Sequence, residues 1–392
     1  MAEPTADVED PRLAAVAWAR LAEPGDELAV GLVAALGPVA ALAWLRREAW
    51  DPPAGEREPW ERARARWRPR LDGLDPAREL AQITRLGGTV LHPADRRWPR
   101  AFDDLGPRAP QCLWVRGDPE LAAHAIEGGV AIVGARAATP YGEHVAFELA
   151  AALAGDGRVV VSGGAYGIDA VAHRASLAVN GPTVAVMAGG LDRFYPTGHT
   201  ELLTRVAREG AVVSELGPGS APSRSRFLTR NRLIAALAAA CVVVEAGWRS
   251  GTMSTAQHAA RLLRPVGAVP GPVTSASSAG CHRLLREQLA VCVTDAEEVR
   301  ELVAELGPAA TAGMGRDRER DDSAVRLDDV PPGLAPREAL VWEALPARGA
   351  AHPDSVVRVC GLAHGEVLAA LGLLELRGHA VRDGDRVRRV AR

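Results

Sequence analysis

The chain has 392 residues, a formal net charge of −3 and 47% hydrophobic content, enough for two or three globular units that each bury a core. No apolar stretch reaches the roughly 18 uncharged residues that span a bilayer. The acidic start Met1-Ala-Glu-Pro-Thr-Ala-Asp7 lacks the basic region of a signal peptide, so a cytoplasmic protein without a membrane partner is expected.

From about Pro11 to Leu86 the apolar residues follow helical spacing, as in Leu13 to Trp18, Leu28 to Val33 and Val39 to Leu45, with Pro24-Gly25 and Gly37-Pro38 as punctuation. These residues predict a small helical domain over 1–80, and its Arg-rich stretch Glu56 to Arg70 reads as an exposed helix. At Gly88 the pattern changes. Thr89 to Leu91 and Cys112 to Arg116 read as extra strands leading into a larger sheet. Between Val130 and about Leu302, short Val-rich runs alternate with helical segments at Tyr141 to Ala154, Asp169 to Val179, Thr200 to Arg208, Asn231 to Ala239 and Met253 to Leu263. That alternation predicts an α/β fold, a parallel doubly wound sheet with helices on both faces, over residues 81–306. Residues 307–332 hold a mixed-charge run ending in Pro331-Pro332 and read as a linker. Residues 333–392 then give helices at Pro336 to Leu345, Pro353 to Val359 and His364 to Leu376, with a hairpin around Asp383-Gly384, the order of a winged helix.

The sheet region is organised around Arg158-Val-Val-Val-Ser162-Gly163-Gly164-Ala165-Tyr166-Gly167-Ile168-Asp169, which reads as strand, tight turn and helix. Its glycines let the backbone approach a ligand, and free N–H groups at the start of the following helix attract phosphate. Similar turns follow Val130 to Val133, before Arg136; Thr183 to Met187; and Cys241 to Glu245, before Ser250-Gly251-Thr252. In a doubly wound sheet all of these loops meet at the carboxyl edge, where ligands bind.

All 46 basic residues are arginines, so an arginine informs only through its neighbours. The informative cluster is Ser223-Arg224-Ser225-Arg226-Phe227-Leu228-Thr229-Arg230-Asn231-Arg232, with no acidic residue between Glu215 and Glu245. With Thr229 as N-cap, Arg230 and Arg232 would stand in the first helical turn, where the macrodipole disfavours cations. A bound polyanion removes that conflict, with guanidinium and backbone N–H groups sharing phosphates. Phe227 among the arginines offers a base a stacking surface; the alternative, a core Phe beside a solvated basic loop, is the less favoured reading. Asp169 and His173 share a helical face. That spacing suits a hydrolytic or metal pair, but Asp169 also suits a helix start and no third ligand stands nearby. Five cysteines without a C-x-x-C pair point to reduced thiols, and neither G-x-G-x-x-G nor a Walker motif is present. No metal, cofactor or catalytic residue is expected.

With these residues in view, the chain resembles the DNA-processing protein A family (DprA, also called Smf). The matching pieces are Ile132-Val-Gly134-Ala135-Arg136, Ser162-Gly163-Gly164 with Gly167-Ile168-Asp169 and Ala172-His173, Gly189-Gly190-Leu191-Asp192 with Tyr195-Pro196, Phe227 with Arg230-Asn231-Arg232, Glu245 with Ser250-Gly251-Thr252, and Val269-Pro270-Gly271 with Gly280-Cys281. The resemblance implies an extended Rossmann-like domain that binds single-stranded DNA, dimerises and loads the recombinase RecA, with an N-terminal sterile-alpha-motif-like domain and a C-terminal winged helix. Its DNA site would comprise Arg136, Ser162, Gly163, Gly164, Arg224, Phe227, Arg230, Asn231, Arg232, Ser250, Gly251 and Thr252. Arg224 stands where relatives often carry lysine, and His282 where many carry asparagine. The rival reading is a Rossmann-like nucleotide phosphoribohydrolase of the lysine-decarboxylase-like group. Its P-G-G-x-G-T-x-x-E pattern falls on Gly247 to Thr255, which lacks the leading Pro-Gly and the glutamate.

Overall fold

The computed structural model describes residues 9–304 except 249, together with 331, 334–345, 350–360 and 362–390. It forms two compact units, Met1–Ala312 and Gly313–Arg392.

The first unit opens with helices α1 (Pro11–Leu21), α2 (Glu27–Leu36), α3 (Pro38–Arg46), α4 (Arg57–Trp67) and α5 (Pro76–Arg85). Asp10 starts α1 by accepting the Arg12 N–H at 2.8 Å, with Pro11 in the first turn, and Asp26 accepts the Ala29 N–H of α2. Trp18 and Trp67 meet edge to face at 5.4 Å in the centre of this bundle. Helix α4 is not the fully exposed helix that its arginines suggest. Trp60, Ala63, Arg64 and Trp67 are buried, and Arg64 donates to the carbonyls of Trp44 and Arg47. Nor does the bundle stand apart from the sheet: Ala15 and Val16 share a core with Ile83, Val90 and Trp114, and Arg12 donates to Thr89 Oγ1 at 2.9 Å.

Nine strands form one sheet among the described residues: β1 (Gly88–Leu91), β2 (Leu113–Gly117), β3 (Val130–Val133), β4 (Val160–Ser162), β5 (Thr183–Met187), β6 (Ala211–Ser214), β7 (Ala240–Val243), β8 (Val266–Ala268) and β9 (Val291–Cys292). Their order is β1-β2-β6-β5-β4-β3-β7-β8-β9; β1–β2 and β2–β6 pair antiparallel and the other neighbours parallel. The Val-rich runs reflect burial on both faces: Ala131 and Val133 face one core, Val130 and Ile132 the other. Helices α6 (Pro119–His124), α10 (Arg224–Leu237), α11 (Thr252–Arg261) and α12 (Ala279–Arg286) contribute to the first core. Helices α7 (Pro140–Gly155), α8 (Ile168–Ala178) and α13 (Ala296–Ala304) cover the second face. Helix α9 (Thr200–Glu209) joins α1 over β5 and β6. The fold is therefore the doubly wound α/β class that the alternation predicts. From β3 the chain moves outward to β4, β5 and β6, then returns to the other side of β3 as β7. The crevice between β3 and β7 is the switch point at which such sheets bind ligands.

In the second unit, α14 (Pro336–Ala344), α15 (Pro353–Cys360) and α16 (His364–Leu376) precede a hairpin of β10 (Ala380–Asp383) and β11 (Arg386–Arg389). Val341, Val356, Leu371, Leu374 and Val387 form its core. This is the winged helix expected there; the linker expected at 307–332 lies outside the described residues, apart from Pro331.

Candidate nucleic-acid interface

The switch-point crevice is an open cleft of ≈ 470 Å³. The loop after β3 supplies Gly134 to Ala137, the loop after β7 supplies Gly247, Ser250, Gly251 and Thr252, and α10 supplies Phe227, Leu228, Arg230 and Asn231. The two loops are tied together, because Thr252 Oγ1 donates to the Gly134 carbonyl at 2.9 Å while Asn231 Nδ2 donates to the Gly251 carbonyl at 3.2 Å. Asn231, Gly251 and Thr252 thus build the wall, and Ser250 Oγ accepts the Thr252 N–H to start α11.

Helix α10 begins seven residues before the position that Asn231 marks in the sequence pattern. Its N-cap is Ser223, whose Oγ accepts the Arg226 N–H, not Thr229. The cations facing the macrodipole are therefore Arg224 and Arg226, whereas Arg230 and Arg232 lie in mid-helix. Arg226 is answered by Glu23, whose two carboxylate oxygens each accept at 3.1 Å. Arg224 is exposed and, among the described residues, makes no ion pair.

The other two arginines are buried. Arg232 is 1% exposed and donates to Glu215 at 2.8 Å, to the Arg108 carbonyl at 2.9 Å and to the Thr229 carbonyl at 3.3 Å. It does not line the cleft. The expected phosphate contact is instead an internal ion pair, because burial gives this guanidinium three fixed acceptors. Arg230 does reach the cleft wall, but Nη1 donates to the carbonyls of Gly163 and Val186, and burial pulls its pKa down to about 10 despite nearby Asp169. A Cβ at Gly163 would lie 2.5 Å from Arg230 Nη1, so this close approach requires glycine.

The glycine turn that organises the sheet is not an open phosphate cradle. Asp169 Oδ2 accepts the Gly163 N–H at 3.1 Å and the Ala165 N–H at 3.4 Å, so the chain's own carboxylate takes the anion's place. Burial raises the Asp169 pKa, opposed by Arg230 and by the N–H donors. Ser162 and Gly164 are buried, and the Ser162 hydroxyl donates to the Ile132 carbonyl beneath the turn. His173 parts from Asp169 altogether. Its Nδ1 meets Thr183 Oγ1 at 2.8 Å in the core, and burial pulls its pKa down to about 3. Glu245 is committed to Thr139, accepting its N–H and its hydroxyl at the start of α7. His282 Nε2 lies 2.9 Å from the Gly271 carbonyl. No group of three or more His, Cys, Asp or Glu residues placed to hold a metal occurs among the described residues.

Among the described residues, one cation and one aromatic ring remain open at the cleft. Arg136 is exposed, makes no ion pair among the described residues, and lies with its Cζ 5.0 Å from the centroid of the half-buried Phe227 ring. Arg230 stands 5.9 Å from the same ring and Tyr195 touches it at 5.8 Å. Sequence reasoning did not select Tyr195 or Tyr166 for the site, although the chain has only three tyrosines.

A Rossmann-like sheet whose switch point presents a free guanidinium and an aromatic face has the features of a phosphate- and base-binding α/β protein. Comparison with known proteins makes this specific. Residues 89–304 match the family described as DNA recombination-mediator protein A, and residues 326–386 match the DprA winged helix domain. A putative DNA processing protein DprA from Mycobacterium tuberculosis is 45% identical over 386 residues, covering 94% of this chain and 92% of that protein. The X-ray structure of DprA from Streptococcus pneumoniae superposes with TM-score 0.60 at 27% identity, over 75% of this chain and 97% of that one. DNA processing protein A from Helicobacter pylori, whose structure is described in terms of its single-stranded DNA binding mode, gives TM-score 0.50 at 31% identity, over 56% of this chain and 96% of its own. The chain belongs to the DNA recombination-mediator protein A (DprA/Smf) family.

Proposed function

We propose that the switch-point cleft binds single-stranded DNA and that the protein passes this strand to RecA in recombination and in processing of incoming DNA, without catalysing a reaction itself. The observation that carries the reading is the pairing of unneutralised Arg136 with the accessible Phe227 ring at 5.0 Å. A phosphate meets the guanidinium while an unpaired base stacks on the ring; in a duplex the base faces are already occupied by their neighbours. Arg224 supplies a second phosphate contact. Arg230, Asn231 and Ser250 to Thr252 shape the wall, with Ser162, Gly163, Gly164 and Arg232 beneath them as support.

The family's description as a recombination mediator and the strand-binding relative from Helicobacter pylori support this reading. We further propose a homodimer through the β9 edge, where Leu263, Leu289 and Val291 are 82%, 42% and 53% exposed. Helix α16 of the winged helix carries Glu366 and Glu375, no arginine, and exposed Leu368, Leu373 and Leu376, a surface suited to protein contact more than to a DNA groove. The test is a fluorescence titration of labelled single-stranded and double-stranded DNA against the full chain and a chain ending at residue 306. Preferential single-strand binding, retained within about threefold on truncation, is expected. Equal affinity for duplex, or a hundredfold loss on truncation, would place the DNA site elsewhere.

A further inference from the structure

We propose that Tyr195 is a second base-stacking platform, which carries the strand out of the cleft toward β5. The inference rests on the reading of the cleft as a single-strand site and adds a direction and a contact to it. Tyr195 lies in the loop after β5, and its ring meets Phe227 at 5.8 Å with an interplanar angle of 50°. Tyr166, in the loop after β4, stands against His199 at 4.4 Å. Both are large exposed side chains, Tyr195 at 46% and Tyr166 at 49%, although the chain holds only three tyrosines. Exposed aromatic rings are common, and Tyr141 is also 42% exposed, so exposure alone does not single out Tyr195 and a reason of position is needed.

The sheet order supplies that reason. The carboxyl-edge loops run β5, β4, β3, β7 across the sheet, so Tyr195, Tyr166, Arg136 and the Ser250 loop follow one another along a single edge. Two strand spacings of about 4.8 Å separate β3 from β5, roughly 10 Å. Phe227, on α10, bridges that span, its ring 5.8 Å from that of Tyr195, so a strand with one base on Phe227 and leaving toward β5 meets Tyr195 with the next base. In the opposite direction, past β7, the exposed Trp248 ring stands with Arg283 Cζ 5.3 Å from its centroid, away from the Phe227–Tyr195 contact.

The test measures binding of oligo-dT by Tyr195→Ala, Tyr195→Phe and Phe227→Ala chains at several salt concentrations. It is repeated on oligonucleotides in which successive bases are replaced by abasic residues. Tyr195→Ala is expected to weaken binding about tenfold without changing the salt slope, because stacking releases few counterions. Tyr195→Phe keeps the ring and restores the affinity. The Tyr195→Ala penalty vanishes when the base that it contacts is already abasic. If Phe227→Ala weakens binding while Tyr195→Ala stays within twofold of the parent, the platform is refuted and the cleft reading survives. If neither matters, both fall. A penalty that persists undiminished on every abasic oligonucleotide would make Tyr195 a prop for Phe227 and overturn its role as a platform.

Discussion

Arg136 and Arg232 look equivalent in sequence, each an arginine beside a glycine turn or a basic helix, and the structure predicts opposite phenotypes for their removal. Arg136 is exposed and unpaired among the described residues, so in the proposed complex it neutralises a phosphate. Each single-strand phosphate contact contributes about 0.7 to the log–log salt slope. A fourfold rise in salt, from about 50 to 200 mM, weakens binding about 2.6-fold per contact, or about sevenfold for the two contacts of Arg136 and Arg224. Arg136→Ala should therefore reduce the slope by about 0.7, and the Arg136→Ala/Arg224→Ala pair by about 1.4, with no loss of fold stability. Arg232→Ala should do the reverse. It strands Glu215 in the interior, where burial already raises the carboxyl's pKa and Arg232 opposes that shift. Breaking such a buried pair costs about 3–5 kcal/mol, a large share of the stability of a domain. Salt-dependent anisotropy gives the slope and urea denaturation gives the stability. A flattened slope in Arg232→Ala, or an unchanged one in Arg136→Ala, would refute the division between surface contact and internal strut.

Phe227→Ala should lose about 1–3 kcal/mol of single-strand affinity at constant salt slope, measured in the same titrations. His173 has a folded pKa of about 3 against an ordinary 6.5, so stability is full above pH 6.5 and falls as the pH drops toward 3. At pH 5 the cost is about 2 kcal/mol as an upper figure, and a His173→Asn chain should show a flatter acid limb in urea midpoints taken at pH 7.5 and 5. His258, pulled down to about 4, adds a cost of the same sign. Sedimentation of residues 1–306 should show dimer at micromolar concentration, and monomer alone would refute the β9-edge interface; a fragment starting at residue 81 is unsuitable, since that cut falls within α5 and uncovers Trp114.

The fold was legible because its signals are local. Val-rich runs such as 130–133 and 183–187, each closed by glycines, are what a strand buried on both faces requires, and His364–Leu376 emerges as a helix with both ends as read. The strands missed by the pattern are β6, β8 and β9; β9, of two residues, is too short to carry a periodicity, whereas β6 and β8 are as long as the β3 and β4 that the Val-rich runs mark. The packing of α1 on the sheet was illegible for another reason: Ala15 and Val16 contact residues about seventy or more positions away, and helical spacing shows only that some face is buried.

The site divides along the same line. Sequence spacing identifies the right loops, because glycine and a first-turn acid mark a strand-turn-helix wherever it occurs, but it does not say which anion the turn holds. Asp169 is both the best helix-start residue and, by folding back onto the Gly163 and Ala165 N–H groups, the reason no external phosphate needs to sit there. The N-cap decides the rest. Moving it from Thr229 to Ser223 puts Arg224 and Arg226, not Arg230 and Arg232, in the first turn and leaves the latter two in mid-helix. Both Ser and Thr are good caps, and the sequence around them holds no acid to mark the first turn. The choice is made by tertiary contacts: Glu215, Gly163 and Val186 offer Arg230 and Arg232 fixed acceptors inside, and of the predicted site's arginines, all among the described residues, that leaves Arg136 and Arg224 with charge to give a ligand.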